Sequence, residues 1–400
     1  MPIDFELTEE QKLLQNAVRE FAQKELTRDR AVEFERKSEF PMELYRKCCQ
    51  QGYIGVTWPT EFGGQGMSWI DTMIILYELH RAEPSLASAI YGGIFGSDVI
   101  NYFGTPEQKK KWLPKIASGE ITSAGCFSEP GGGSDIAKVL DTRAVKSGDN
   151  WVINGSKTFI TNGTTASVCV VLVQTDVNAK PPYRGKTTFL VERGPGLEVN
   201  LLKGKMGWHA SPTCEVAFTD LKVKDADIVG GPDNLNKGFY MALHSIDDAR
   251  LGVGTTSVAT AHAALDKAIA YAKEREAFGR KIGGFQALAF RIVEMATKVE
   301  LARSMVYRAA WLRVKSRQDT SLLDESIRIA SMLKWYGARL AVEACDLLVD
   351  VYGGTGYFTE EDVSRWYTFA KVNELIEGTK EIQKNTIARI MLGNDIAKDF

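Results

Sequence analysis

Histidine and cysteine are scarce in these 400 residues, with four of the one and six of the other. The histidines (80, 209, 244, 262) and cysteines (48, 49, 126, 169, 214, 345) form no CxxC pair and no zinc-like grouping, which argues against a structural metal and a disulfide framework. An excess of one charge is missing as well. Lys and Arg total 49 against 51 Asp and Glu, so net −2 leaves no electrostatic footprint for a nucleic-acid backbone or an anionic membrane. The longest basic run, Lys109 to Lys111, reads as a solvated helix face. No stretch approaches eighteen consecutive apolar residues, so no spanning helix is expected. The opening MPIDFELTEEQ has neither the basic and apolar regions of a secretory signal nor an Arg-rich presequence, and a cytoplasmic protein is expected. The usual nucleotide signatures fail too. Gly185-Lys186-Thr187 has Lys180 where a P-loop needs glycine, and no G-x-G-x-x-G follows a strand and opens a helix.

What is present is an ordinary globular composition whose texture changes twice. Thr8 and Gln11 make a capping box, and Leu14, Val18 and Phe21 follow at helical spacing, so the chain opens on an amphipathic helix. Helical texture continues to about residue 120, interrupted by the Pro59 to Gly66 loop and with a run through Tyr77 to His80 that ends before Pro84. From 121 to 235 short β-branched runs, Val168 to Val173 and Thr187 to Val191, suit a small antiparallel sheet or barrel. After Gly230-Gly231-Pro232 the chain turns Ala-rich and helix-periodic, as a helical bundle would. Three domains are expected, at 1–120, 121–235 and 236–400.

Two segments can carry chemistry. In Cys126-Phe127-Ser128-Glu129-Pro130-Gly131-Gly132-Gly133-Ser134-Asp135 three glycines let backbone amides approach an anion, although composition alone also fits a plain inter-domain loop. Asn154-Gly155 to Asn162-Gly163 reads by itself as a turn, a strand and a second turn.

In this order and spacing they resemble the acyl-CoA dehydrogenase family along nearly the whole chain. The resemblance continues through Lys205-Met206-Gly207 with Ser211-Pro212-Thr213, Asp247 to Arg250, Tyr271-Ala272 to Arg275 with Phe278-Gly279 and Gln286, Gly353-Gly354 to Tyr357, and Glu377-Gly378-Thr379 to Ile382-Gln383. It implies a mostly helical α+β protein with an N-terminal helical domain, an antiparallel barrel-like middle domain and a C-terminal four-helix bundle. It also implies an FAD enzyme that removes the α-proton and β-hydride of an acyl-CoA thioester.

By the same resemblance Glu377 is the base. Families of this type also place a base just before the arginine of Asp247-Asp248-Ala249-Arg250, but Ala249 cannot take a proton. An α-proton beside a thioester is acidic enough for a carboxylate only if that carboxylate is desolvated and the enolate oxygen stabilised. The resemblance assigns FAD contacts to Phe127, Ser128, Gly133, Ser134, Phe159, Thr161 and Thr379. It assigns Arg275, Phe278, Gln286, Asp350, Gly353 and Gly354 to FAD bound mainly by a neighbouring subunit. A homo-oligomer, most often a tetramer, follows, with an electron-transferring flavoprotein as the usual acceptor. Asp247 and Arg250 are expected to help hold the CoA portion, and Gly378 and Ser134 are also expected to bind the acyl-CoA substrate.

Several positions depart from the family pattern. Phe159 stands where tryptophan is common, Asp350 replaces a frequent glutamine, Thr368-Phe369 replace an Arg-Asp pair, and Ile376 replaces a tyrosine. The acyl pocket is expected to be lined by Ser88, Tyr91, Phe95 and Asp98, facing Ala249 and Gly252. Small residues beside aromatics point to a branched, cyclic or aryl-substituted acyl-CoA, with a short straight chain as the alternative. The absence of Lys, Arg and His from 82 to 107, where glutaryl-type relatives place an arginine, disfavours a glutaryl substrate. A non-catalytic FAD-binding member of the same fold is the alternative of another class.

Overall fold

The computed structural model describes residues 6–358, 362–393 and 395–397. The first helical region contains α1 (Glu9–Glu25), α2 (Arg28–Lys37), α3 (Met42–Gln50), α4 (Trp69–Ala82), α5 (Pro84–Gly92), α6 (Ser97–Phe103) and α7 (Pro106–Ala117). Its starts follow local rules. Thr8 and Gln11 cap α1 reciprocally, Ser68 and Asp71 do the same for α4, and Pro84 opens α5 at a position where its missing N–H costs nothing.

The sheet that follows comprises β1 (Thr122–Cys126), β2 (Arg143–Ser147), β3 (Asn150–Thr161), β4 (Ala166–Gln174), β5 (Lys186–Glu192), β6 (Leu197–Leu201) and β7 (Thr213–Lys224). Along β4 the side chains alternate between two cores. Val168, Val170 and Leu172 pack with Trp58, Trp112 and Phe127, whereas Cys169, Val171 and Val173 pack with Ile153 and Phe189. A strand buried on both faces reads as a continuous apolar run, which is what the sequence displays there. The expectation of an antiparallel sheet needs correction, because the sheet is mixed. β1 and β2 run parallel to β4, while β2–β3, β3–β7, β6–β7 and β4–β5 are antiparallel. The physical reason is the long excursion from Phe127 through β3 between β1 and β4, a crossover of the length that parallel pairing requires.

The last region is built on α8 (Gly238–Glu274), the hairpin of β8 (Glu276–Ala277) and β9 (Arg280–Lys281), α9 (Gln286–Ser316), α10 (Leu323–Tyr352), α11 (Asp362–Val372) and α12 (Lys380–Leu392). α8 and α10 cross at paired glycines. A Cβ on Gly337 would lie 2.9 Å from the Gly254 carbonyl oxygen, and one on Gly254 2.7 Å from Leu333 Cγ. Trp69, Met73 and Leu76 of α4 join the same core, so the first region is welded to the bundle. No helix among the described residues is long and apolar enough to cross a membrane.

Candidate active site

The chain leaves α11 and turns through residues 373–379 before Thr379 caps α12, its hydroxyl accepting from the Ile382 amide at 3.4 Å. In that turn Glu377 and Gly378 both take left-handed backbone angles, φ 52° and 83°. Glycine adopts this conformation freely, but glutamate at φ > 0 has to be held there. Gln383 Nε2 donates to the Glu377 carbonyl at 2.9 Å and the Gly378 carbonyl at 3.0 Å, and Lys334 Nζ of α10 donates to the Gly378 carbonyl at 2.6 Å. The turn sends the Glu377 carboxyl into a cavity of about 210 Å³. Although solvent reaches it through that cavity, protein surrounds it, and burial pushes its pKa up to about 7 against the opposing charges of Lys334 and Arg250.

The opposite wall comes from α4, α5 and α6 and from the start of α8. Tyr91, Phe95, Asp98, Ser88, Ala249 and Gly252, the positions that the resemblance assigns to an acyl pocket, line the cavity, and Thr161 reaches it from the end of β3. Tyr91 donates to the Tyr53 carbonyl at 2.6 Å, and Phe95 stands edge-on to Phe127 with ring centroids 6.0 Å apart. Asp98 accepts from Trp58 Nε1 at 3.2 Å. Burial, with Asp248 nearby, raises its pKa to about 6, against the Trp58 bond and the charges of Arg317 and Arg313. Asp248 also lines the cavity and is held by Arg313 at 2.5 Å and Arg317 at 3.5 Å. His80, buried and pushed down to about 4, stays neutral at physiological pH. Its Nδ1 lies 2.7 Å from the Leu76 carbonyl, which can only accept, so Nε2 accepts from Ser88 at 2.9 Å.

Sequence reasoning missed Lys334, Trp58, Asp248, Arg313 and His80. For Lys334 a signal existed: with Ala330, Gly337 and Ala341 it falls on the inward stripe of α10, where a lysine is out of place. Asp247 and Arg250, expected to hold the CoA portion, pair with each other at 2.9 Å, with Arg250 Nη2 3.7 Å from where a Gly378 Cβ would be.

The remaining predicted residues fall into two groups. The first lies beside the cavity. The Thr158 amide donates to the Ser128 carbonyl at 3.0 Å, and buried Lys157 bonds Phe127 O at 3.3 Å and Glu129 at 2.8 Å, which fixes the loop against β3. Gly133 and Ser134 are exposed, and so is Phe159, 71 % accessible at φ 56°.

The second group gathers at the far end of the bundle, where Tyr271 and Tyr352 stack 4.0 Å apart. Arg275 closes α8, Phe278 and Gly279 form the hairpin tip with positive φ, Gln286 opens α9, and Gly353 and Gly354 end α10. Phe278 is 94 % exposed. Asp350, the unexpected carboxylate, pairs with Arg291 at 2.6 Å. From Lys334 to Asp350 a helix rises about 24 Å, so one protomer does not bring this group to Glu377.

Known proteins now decide the family. Models of the acyl-CoA dehydrogenase N-terminal, middle and C-terminal domains match residues 8–120, 124–221 and 236–392. The chain belongs to the acyl-CoA dehydrogenase family. It is 36% identical to a probable acyl-CoA dehydrogenase, YngJ, of Bacillus subtilis, over 98% of this chain and 100% of that one. It is 35% identical to the caffeyl-CoA reductase-Etf complex subunit CarC of Acetobacterium woodii, over 96% and 99%. Butyryl-CoA dehydrogenase of Megasphaera elsdenii superposes with a TM-score of 0.88 at 29% identity, covering 98% of this chain and 100% of that chain.

Members of the acyl-CoA dehydrogenase family are FAD flavoproteins and oxidoreductases acting on acyl-CoA, and the residues present in this chain fit that cofactor. Both side-chain polar atoms of Asn162, Ser211 Oγ and Trp208 Nε1 are buried without a protein partner beside Thr161, where a planar group with polar edges would satisfy them. The exposed Phe159 ring offers a flat face, and the exposed Gly133 and Ser134 lie on the glycine-rich loop that the Gly132 amide closes onto the Glu129 carbonyl at 3.0 Å. The departure at Thr368-Phe369 is absorbed. Thr368 bonds the carbonyls of Ser364 and Arg365 at 3.1 and 3.0 Å, and buried Phe369 packs against Trp208.

Proposed function

We propose that this chain dehydrogenates an acyl-CoA thioester at Cα–Cβ, that Glu377 takes the α-proton, and that the acyl group is branched, cyclic or aryl-substituted. The observation that carries the reading is the Glu377 carboxyl, turned into the aromatic-walled cavity with its pKa pushed up to about 7 by the surrounding protein. A carboxylate there is a stronger base than one in water and matches the working pH. The Glu377 amide N–H is the protein's donor to the thioester oxygen, where charge develops as the proton leaves. Bound FAD supplies the hydride acceptor.

Phe127, Ser128, Gly133, Ser134, Phe159, Thr161 and Thr379 hold the cofactor in their own protomer. Arg275, Phe278, Gln286, Asp350, Gly353 and Gly354 reach it from a neighbouring copy. Exposure of this second group, remote from its own cavity, supports a homo-oligomer, and we read it as a tetramer. Asp247, Arg250, Gly378 and Ser134 hold the CoA end. An electron-transferring flavoprotein in the cytoplasm takes the electrons onward, a reading supported by the kinship to an Etf-complex subunit. Tyr91, Phe95, Trp58 and Trp69 form wide aromatic walls against the small Ala249 and Gly252, which supports a bulky acyl group.

The test is anaerobic addition of straight-chain, branched, cyclohexanecarbonyl and 3-arylpropionyl thioesters to the purified flavoprotein. Bleaching of the flavin by a bulky thioester supports the reading. Bleaching by none of them sinks the reaction, and bleaching by butyryl-CoA alone sinks the substrate class.

A further inference from the structure

Lys334 is a fully buried lysine, 0 % exposed, in the middle of an otherwise apolar helix face. Burying an ammonium is expensive unless it is hydrogen-bonded and faces a counter-charge. Its bond runs to the Gly378 carbonyl, the far side of the turn that carries Glu377.

The charged groups around it are Glu377 and Arg250, with Glu374 and Glu381 further along the turn and α12. Glu374 is already committed to Lys371, to Lys380 at 3.6 Å and to Arg339 at 3.8 Å, and Glu381 is exposed. Arg250 in turn gives its Nη1 to Asp247 at 2.9 Å. Glu377 is therefore the principal counter-charge of Lys334, and Lys334 is the larger of the two cationic influences on Glu377, ahead of Arg250.

We propose that Lys334 is a positioning residue for the base. Its ammonium clamps the Gly378 carbonyl so that Glu377 keeps its left-handed backbone with the carboxyl in the cavity, and its charge keeps that carboxyl ionised at working pH. The proposal rests on Glu377 being the base. Two effects are separable because the turn has two supports. Gln383 also bonds the Gly378 carbonyl, so loss of Lys334 loosens the turn without leaving that oxygen unpartnered. Burial brings the Lys334 pKa down to about 8 while Glu377 stands at about 7, so both are charged in the window between. Removing the cation favours the neutral acid and moves the Glu377 titration upward, by about one unit with Arg250 still present.

The experiment compares Lys334→Gln, which keeps a donor and drops the charge, with Lys334→Met, which drops both, and with Glu377→Gln, all as flavoproteins. Rapid-mixing flavin reduction is followed against pH, and the carboxyl C=O band is titrated by infrared difference spectroscopy, a readout that needs no turnover. Both Lys334 variants should move the acidic limb and the carboxyl titration up together, costing about fivefold at pH 7 for a one-unit shift. The Gln variant should recover at alkaline pH, and the Met variant should recover only in part. If the Met variant fails to fold, the Gln variant alone decides through its limb and its band. An unmoved limb and band, with Glu377→Gln inactive, overturn the role of Lys334 only. Wild-type reduction in Glu377→Gln overturns the assignment of the base, and this inference with it.

Discussion

Glu377 carries two costs that its function requires, a left-handed backbone and a buried carboxylate. Its carboxyl pKa in the folded chain, about 7, lies above its value of about 4.5 in an unfolded one. Stability from this group is therefore complete below about pH 4.5 and lost as pH rises through 7. Glu377→Gln should gain thermal midpoint over the wild type progressively from pH 5 to pH 8, as scanning calorimetry would record; a constant difference would contradict the burial argument. The same variant should lose roughly 10²–10⁴-fold in flavin reduction. Asp98→Asn should lose far less and shift the preference among thioesters instead. The reverse pattern in stopped flow would move the base to Asp98. A third carboxylate is structural: Glu129 holds Lys157, itself 0 % exposed, and accepts from the amides of Asp141 and Thr142 at 2.7 and 3.0 Å. Lys157→Met leaves that carboxylate buried without its cation and should cost about 3–5 kcal/mol in urea denaturation. It should also weaken FAD retention, since Lys157 bonds the Phe127 carbonyl.

Among the elements, the crossing of α8 and α10 decides how near Lys334 comes to the turn. Gly254 and Gly337 let the two backbones meet without side chains between them. Gly337 sits one turn after Lys334, so Gly337→Val would force the helices apart there. The expected loss is about 1–3 kcal/mol of stability, read from denaturant midpoints, together with slower flavin reduction. Unchanged values would mean that the crossing adapts more readily than its contacts indicate. The β8–β9 hairpin is the opposite kind of element. It exposes Phe278 at a tight tip with two successive left-handed residues, a geometry that holds a side chain away from its own protomer, and exposed Arg275 lies at its base.

At the scale of the whole molecule, those exposed residues bear on the proposed second copy. If Arg275 and Phe278 complete a neighbour's FAD site, cofactor retention and assembly are thermodynamically linked. Phe278→Ala or Arg275→Ala should lose FAD on dilution and shift toward smaller species in analytical ultracentrifugation. Full occupancy at nanomolar protein with an unchanged oligomer would separate the two. Burial of Asp248 against Arg313 and Arg317 shows the same economy inside one protomer. Arg313 of α9 and Arg317 just beyond it meet the Asp248 carboxylate of α8, so that buried charge at the cavity wall is not left unpaired.

The sequence by itself determined the order of helical, β-rich and helical regions, the caps at Thr8 and Ser68, and the loop that begins at Phe127. These depend on neighbours a few residues away, whose periodicity and hydrogen-bonding preferences are written locally. Glu377 was legible only through the family resemblance that Glu377-Gly378-Thr379 to Gln383 helps to carry, and Tyr91, Phe95 and Asp98 through the same resemblance. Only the tertiary structure decided that β1 and β2 run parallel to β4, since strand direction follows from the path of the connection rather than from the strand's own residues. Only the tertiary structure brought Lys334 under the Glu377 turn and Arg291 to Asp350. A lysine's spacing says that it points inward, but the charge it meets is set by the turn that packs against it, with Glu377 43 residues further along the chain.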